Sequence, residues 1–137
     1  AAPPSVAAHG GGTILVVDDD VEQRNFAERM LKTLGYRVIT AHNGKAAVDF
    51  FAKTTPGGTS ADVDLVLLDM IMADDFDGLD TYRKILEFNP SQKAIIVSGF
   101  AVTERIKEAL QLGAGQYIQK PYSLEDLGKA LRRELGR

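Results

Sequence analysis

The sequence predicts an α/β domain built on a five-stranded parallel sheet with helices on both faces. Short apolar segments alternate along the chain with segments of helical periodicity, which is the pattern of repeated β–α units. Three of the apolar segments contain no polar residue, as expected of strands that are covered on both faces. They are residues 14–17, 65–68 and 94–97.

The composition limits the classes of protein that fit. The chain has 137 residues, of which 45% are hydrophobic and 26% charged, as in an ordinary single domain. There is no cysteine, which excludes disulfides and thiolate metal sites and agrees with a cytoplasmic location. No apolar run is long enough to span a membrane. A net charge of −3 without a basic block argues against direct binding of nucleic acid.

The chain is expected to enter its first β–α unit after a linker. Residues 1–12, which include His9, have linker composition or were added for expression, and residues 13–137 form the predicted domain. The first strand runs into Asp18, Asp19 and Asp20, and Asp20 is predicted to cap the helix that follows. Gly35 is predicted to end that helix. Its buried face carries Ala27, Met30, Leu31 and Leu34.

Four more strands and four more helices follow. In order, they are a strand at 37–40, a helix capped by Asn43, a strand at 64–69, a helix ended by Asn89 and Pro90, a strand at 94–97, a helix closed by Gly113, a strand at 116–119 and a helix opened by the capping box Ser123 to Asp126. Val102 is predicted to open the apolar stripe of the fourth helix, and Leu124 that of the fifth.

The polarity of the strands predicts their order in the sheet. The three wholly apolar strands belong in the middle, and the mixed strands at 37–40 and 116–119 belong at the edges. With right-handed crossovers the order is 2-1-3-4-5, which gives a flavodoxin-like, doubly wound three-layer sandwich. The topological switch point, where such sheets bind ligands, then lies between the first and third strands.

Several residues with suitable chemistry follow strand ends at this switch point. Asp18 and Asp19 end the first strand, and Asp69 ends the neighbouring third strand. Three converging carboxylates repel one another unless a cation lies among them, and Mg²⁺ prefers such oxygen ligands. Ser98 and Lys120 end the fourth and fifth strands. A metal, a hydroxyl and an ammonium are the groups that a phosphorylated carboxylate needs around it.

The order and spacing of these motifs resemble those of a response-regulator receiver domain, from about residue 13 to residue 135. The motifs that carry the resemblance are Ile14-Leu15-Val16-Val17-Asp18-Asp19, Leu67-Leu68-Asp69-Met70, Asp77-Gly78-Leu79, Val97-Ser98-Gly99, Leu112-Gly113-Ala114 and Lys120-Pro121-Tyr122. One loop departs from the family pattern, because Met72 is followed by Ala73 where the family commonly has proline.

The resemblance implies that Asp69 accepts a phosphoryl group from the phosphohistidine of a histidine kinase or of a histidine phosphotransfer domain. It also implies that Asp18 and Asp19 hold Mg²⁺ together with Asp69 and the backbone carbonyl of Ile71. In this family such a domain is a signalling switch with self-catalysed phosphoryl transfer, and it is not an enzyme that acts on free metabolites.

The resemblance implies a switch as well. Ser98 would follow the phosphoryl group, Lys120 would pair with it, and Tyr117 would change rotamer. The change would reach the face formed by the fourth helix, the fifth strand and the fifth helix. The family also has a cis peptide bond at the position of Lys120-Pro121, and an X–Pro bond takes that form at tolerable cost.

Two apolar residues predict a long-lived phosphorylated state. Hydrolysis of an aspartyl phosphate needs a water molecule in line with the phosphorus atom, and the residues two positions beyond Asp69 and Ser98 are best placed to orient it. These residues are Ile71 and Phe100, which cannot hydrogen-bond to water through their side chains. We therefore expect slow autodephosphorylation.

Two other functions are compatible with the predicted fold. A flavodoxin-like electron carrier would bind the FMN phosphate after the first strand, where the run from Asp18 to Asp20 would repel it. An aspartate-nucleophile phosphatase would need a second acid at position 71, where this chain has Ile71.

The sequence also suggests which larger protein this domain belongs to. Residues 94–100 and 120–123 resemble C-terminal receivers of hybrid sensor histidine kinases. A free-standing single-domain regulator is the alternative.

Overall fold

Ten helices and strands alternate along the chain in the computed structural model, which describes residues 12–54, 63–72, 75–99 and 102–136. The strands are β1 (Thr13–Val17), β2 (Arg37–Ala41), β3 (Leu65–Asp69), β4 (Ala94–Ser98) and β5 (Gln116–Gln119). The helices are α1 (Val21–Thr33), α2 (Gly44–Thr54), α3 (Gly78–Phe88), α4 (Glu104–Leu112) and α5 (Leu124–Leu135). Most of the predicted linker, with His9, lies outside the described residues.

The five strands form one parallel sheet in the order β2-β1-β3-β4-β5, which confirms the predicted fold class and strand order. The pairing aligns Val17 with Leu68 and Asp69 with Val97. The carboxyl ends of β1, β3 and β4 therefore lie side by side, as they must if the residues that follow them are to form one site.

The sheet separates two apolar cores, because successive side chains of a strand point to opposite faces. Leu15 and Val17 of β1 face the core that α2, α3 and α4 cover, which includes the fully buried Phe51, Tyr82 and Ile106. Ile14 and Val16 face the other core, which α1 and α5 cover. Full burial of an apolar side chain, relative to exposure, stabilises the folded state by about 1.5–3 kcal/mol. Burial on both faces therefore holds the middle strands in place.

Local hydrogen bonds set the predicted helix ends. The Asp20 carboxylate accepts from the backbone N–H groups of Glu22 and Gln23 at 2.9 and 3.3 Å. Ser123 and Asp126 form a reciprocal capping box. Gly35 and Gly113 follow or cap the ends of α1 and α4 with positive φ angles of 94° and 132°, which are unfavourable for residues with a side chain.

Two apolar residues that were predicted to lie on buried helix faces are exposed. Val102 precedes Thr103, the N-cap of α4, so it lies outside the helix and is 45% exposed. Leu124 is the first residue of α5, beyond the edge of the core that Leu127 and Leu131 fill, and is 40% exposed. No helix in the described ranges combines the length and the apolar character needed to cross a bilayer.

Candidate functional site

Three carboxylates converge at the carboxyl ends of β1 and β3. Asp18 and Asp19 follow β1, and Asp69 is the last residue of β3. One oxygen from each lies within 4.8 Å of the others. Asp18 and Asp69 are only 7% and 6% exposed, whereas Asp19 is open to solvent. The structure thus brings together the three acids that the sequence predicts at the switch point.

Lys120 joins this cluster from the end of β5. Its ammonium group lies 3.1 Å from Asp69 Oδ1 and 3.3 Å from Asp18 Oδ2, so it bridges two of the three acids. The Lys120 backbone N–H donates to the Ser98 carbonyl at 2.8 Å, which ties the ends of β4 and β5 together. The peptide bond between Lys120 and Pro121 is cis.

Burial and charge shift the pKa values of these groups. Burial raises the pKa of Asp69 from its ordinary value of 3.8 to about 6, with a further contribution from the negative charge of Asp18, and Lys120 offsets part of the rise. Burial lowers the pKa of Lys120, but the carboxylates of Asp69 and Asp18 outweigh it, and the net shift is upward. The ammonium is therefore fully charged at neutral pH, and Asp69 is mostly ionised.

Asp18 is held in place by several groups. Its Oδ1 accepts from the Asp20 backbone N–H at 3.0 Å, and its own N–H donates to the Ala41 carbonyl at 3.2 Å. Arg24 of α1 reaches back and donates from Nη1 to the Asp18 carbonyl at 2.7 Å. Arg24 is not among the site residues predicted from the sequence. The available signal was an arginine in the first turn of the helix that begins right after the acids.

The backbone after Asp69 is packed tightly against the start of α3. The Gly78 N–H donates to the Met70 carbonyl at 2.8 Å. A Cβ atom at Gly78 would lie 2.7 Å from the Asp69 carbonyl oxygen and 2.8 Å from Met70 Cα, which is closer than real contacts allow. Glycine at position 78 therefore lets α3 begin directly against the residue that carries the third carboxylate.

The other predicted residues lie around this cluster. Ser98 is the last residue of β4 and is 1% exposed. Tyr117 of β5 pairs with Ile96 and is partly buried against the core of α2, α3 and α4. Ile71 lies two residues beyond Asp69 and is 52% exposed. Phe100 and Ala73 lie outside the described residues.

Tyr122 is a neighbour of the site that the sequence analysis did not single out for a role. It lines a small cavity of about 10 Å³ together with Asp18, Asp69 and Lys120. Burial, with smaller contributions from Asp18 and Asp69, raises the pKa of the Tyr122 hydroxyl to about 12. This phenol therefore stays neutral next to the acids and forms the apolar floor of the site with the side chains of the α1 core.

The three acids form a donor set that fits a hard divalent cation. All three supply carboxylate oxygens, which are the ligands that Mg²⁺ prefers. Two of them are buried next to each other with a raised pKa at Asp69, so a cation between them would relieve the repulsion that Lys120 offsets only in part. Asp18, Asp19 and Asp69 are the residues that could hold it.

Comparison with known proteins identifies the family. The profile of the response regulator receiver domain matches residues 14–132, which is most of the chain. The chain belongs to the response regulator receiver domain family.

Related receivers occur in proteins of different size. The chain is 35% identical over 122 residues to the transcriptional regulatory protein ZraR of Klebsiella oxytoca, which covers 89% of this chain but 26% of ZraR. It therefore spans about a quarter of the length of such relatives. It is 38% identical over 121 residues to the chemotaxis protein CheY of Treponema pallidum, which covers 88% of this chain and 78% of CheY.

A solved receiver structure with bound ligands is also similar. The structure of the CheX–CheY–BeF₃–Mg²⁺ complex from Borrelia burgdorferi matches with a TM-score of 0.78 and 26% identity, and the match covers 89% of this chain and 87% of that one.

Proposed function

We propose that this receiver domain is the phosphoacceptor of a two-component phosphorelay and that Asp69 is the residue that is phosphorylated. One observation carries the proposal. Asp69 is a buried carboxylate at the switch point of a receiver fold, between two further acids and an ammonium group 3.1 Å away. Membership of the receiver family favours this function over an FMN carrier or a phosphatase.

The chemistry is a phosphoryl transfer from nitrogen to oxygen. A carboxylate oxygen of Asp69 attacks the phosphorus of a phosphohistidine, the new O–P bond forms as the P–N bond breaks, and the electron pair stays on the imidazole nitrogen. The Lys120 ammonium is placed to stabilise the negative charge that then develops on the phosphoryl oxygens. Mg²⁺, held by Asp18, Asp19 and Asp69 with the Ile71 carbonyl, would neutralise phosphoryl oxygens when bound.

The partner is a protein domain that carries the phosphohistidine, in a histidine kinase or a histidine phosphotransfer protein. Exposed apolar side chains next to the acid cluster support protein docking there. Val21 and Phe26 of α1 and Leu124 of α5 are 54%, 46% and 40% exposed. Phe26, Leu124 and Tyr122 line one groove of about 430 Å³, and Tyr122 also lines the cavity under Asp69.

The response to phosphorylation is a population shift of the face formed by α4, β5 and α5. Ser98 and Lys120 end adjacent strands and are joined through the Ser98 carbonyl, so a charge that attracts both side chains acts on β4 and β5 together. Tyr117 lies on β5 two residues before Gln119, the partner of Ser98 in the sheet. A rotamer change at Tyr117 would carry the shift to that face.

The experiment that tests the acceptor is transfer of radiolabel from a phosphorylated kinase. The parent protein should gain acid-labile label in magnesium buffer and bind beryllofluoride only with Mg²⁺, whereas Asp69→Asn should do neither. Asp64→Asn is the matched control, because Asp64 lies at the opposite end of β3 and accepts from the Thr13 N–H at 2.8 Å. Label that survives Asp69→Asn and is lost in another aspartate variant would contradict the assignment.

We propose that the larger protein to which this receiver belongs is a hybrid sensor histidine kinase with the receiver at its C-terminus. The support is the resemblance of residues 94–100 and 120–123 to such receivers. The coverage of 78% of a CheY protein favours a second candidate, a free-standing regulator. The full open reading frame upstream of Ala1 decides between them, since a hybrid kinase would encode a catalytic domain and a phosphorylatable histidine there.

A further inference from the structure

The first turn of α4 is bound to the first turn of α3 by a forked ion pair. Arg105 donates from Nε to Asp77 Oδ2 at 2.6 Å and from Nη2 to Asp77 Oδ1 at 2.9 Å, and Nη2 also contacts Asp80 Oδ1 at 3.2 Å. Bidentate pairs of this kind are stronger and more directional than ordinary surface ion pairs. Arg105 is 28 residues from Asp77 in the chain, so this contact exists only when α4 is in its observed position.

A second ion pair joins the same two helices further along. Arg83 of α3 contacts Glu108 of α4. On α3 the order is acidic at Asp80 and then basic at Arg83, and on α4 it is basic at Arg105 and then acidic at Glu108. Because three residues make almost one helical turn, sliding α4 by one turn would bring like charges together. The two pairs, the α3–α4 latch, therefore fix the register of α4 on α3.

The latch is attached to the backbone that carries the phosphoacceptor. Asp77 caps α3, and the next residue, Gly78, donates to the Met70 carbonyl and packs against the Asp69 carbonyl. The end of the latch on α3 is thus fixed relative to Asp69. Its end on α4, Arg105, lies seven residues after Ser98 in the chain.

A cavity of about 350 Å³ lies between Met70 and Ile71, which follow Asp69, and the first turn of α4. Its lining includes Met70, Ile71, Ser98, Arg105 and Ile106. Among the described residues, this cavity leaves space for the first turn of α4 to move toward Met70 and Ile71. Such a movement would break the hydrogen bonds of Arg105 with Asp77 and Asp80. The latch stabilises the position of α4 in which this cavity is open.

We propose that the α3–α4 latch opposes activation. It stabilises the position of α4 in which the cavity is open, and it therefore opposes the inward shift of α4 that phosphorylation of Asp69 favours. The inference rests on the proposed function, to which it adds a mechanism of regulation. The ligand affinity of the site would then be set in part by exposed charges on α3 and α4 that touch neither the ligand nor the acids. Breaking the latch should tighten ligand binding.

The test measures the affinity for beryllofluoride with Mg²⁺ by an amide NMR titration. Arg83→Glu and Glu108→Arg each replace an attractive pair by a repulsive one, and each should tighten binding by about two- to fivefold, the range that partly exposed ion pairs allow. The double variant with both reversals restores the pair and should return to the parent affinity. Arg83→Gln and Glu108→Gln are milder versions and should each tighten binding by about twofold.

This design separates the latch from simple electrostatics, because Arg83→Glu adds negative charge and Glu108→Arg adds positive charge. Coulomb attraction to an anionic ligand predicts effects of opposite sign, and the latch predicts the same sign for both. The control is Asp49→Lys and Lys53→Glu on α2, an exposed pair distant from α4 that should leave the affinity unchanged. Opposite signs, no effect, or no rescue by the double variant would overturn the latch. Failure of the parent protein to bind beryllofluoride would instead overturn the proposed function.

Discussion

The buried polar groups at the two ends of the sheet differ in their charge and in their pairing. At the amino end, the Tyr82 hydroxyl donates to the Gln92 carbonyl at 2.9 Å. The Gln92 side chain donates to the Val63 and Lys93 carbonyls at 3.4 and 3.1 Å and accepts from Asn89 at 3.1 Å. Tyr82 and Gln92 are 0% and 3% exposed. These polar groups are neutral and paired, so their burial costs little.

At the carboxyl end, the buried polar groups include two carboxylates that repel each other. Asp18 and Asp69 lie side by side, and Lys120 contacts both without preventing a rise in the pKa of Asp69. The site is therefore less stable than a neutral arrangement in the same place would be. One end of the sheet is thus arranged for stability, whereas the other retains an electrostatic repulsion that a bound cation would reduce.

The first and largest expected effect tests the amino end. Gln92→Leu should lower the free energy of unfolding by about 2–3 kcal/mol, because the buried Val63 carbonyl and the Asn89 amide lose their partner. Urea unfolding measures this loss. Tyr82→Phe, which removes only one hydroxyl, should cost about 1 kcal/mol.

Beryllofluoride binding by the folded Gln92→Leu protein should equal that of the parent. Gln92 lies just before β4, at the opposite end of that strand from Ser98. A change of more than about twofold would show that the two ends are energetically coupled and would weaken the comparison.

The second prediction is an increase in the free energy of unfolding. Asp69→Asn should raise the free energy of unfolding at pH 7 in chelator-treated buffer by an amount on the order of 1–3 kcal/mol, because a pKa raised from 3.8 to about 6 means that the folded protein disfavours the charged form. Chemical unfolding at several pH values measures it.

The pH dependence provides the control for this prediction. Since the folded pKa of Asp69 lies above its unfolded value, the folded protein binds the proton more tightly. The contribution of Asp69 therefore stabilises the parent as the pH falls from about 7 to 4, and it is lost as the pH rises through about 6. This component should be absent in Asp69→Asn. If the free energy of unfolding depends on pH in the same way in the parent and in the variant, folding does not raise the pKa of Asp69.

Much of the fold follows from local sequence signals. The apolar runs predict the middle strands, and the caps at Asp20 and Ser123 are fixed by residues within one turn. Because parallel strands end on the same edge, strand order places Asp18 and Asp69 on neighbouring strand ends and puts Lys120 on the same edge of the sheet. The sequence does not reveal that Lys120 pairs with two carboxylates at once, since this depends on side-chain positions across three strands.

Contacts between distant helices are not predictable in this way. Arg105 and Asp77 are 28 residues apart, and nothing in the neighbourhood of either residue distinguishes this pair from other solvated charges. The same limit explains Leu124. Helical spacing places it on an apolar stripe, but only the packed core determines how far along the helix burial extends. Val102 is exposed for a local reason, because the helix begins only after its N-cap, Thr103.

The smallest expected effect on stability, and the sharpest test of function, concerns Ile71. This side chain lies two residues beyond Asp69, is 52% exposed, and lines the cavity that Ser98 also lines. Because substitutions at exposed positions change stability by less than about 0.5 kcal/mol, Ile71→Asn should leave unfolding almost unchanged. We expect it to change the lifetime of the phosphorylated protein.

The reason is the water molecule that must approach the phosphorus opposite the Asp69 oxygen. An apolar side chain cannot orient that water, whereas Asn can orient it without taking its proton, so Ile71→Asn should speed dephosphorylation by up to about 10², the lower end of what acid–base catalysis supplies. Adding Phe100→Glu, a position chosen from the sequence, should speed it further because a carboxylate can accept the proton. Decay of labelled protein in magnesium buffer measures both variants, with Ile71→Leu as the apolar control. Equal decay rates in Ile71→Asn, the double variant and Ile71→Leu would mean that neither side chain controls the water, and that the lifetime is set by the charged cluster around Asp69 alone.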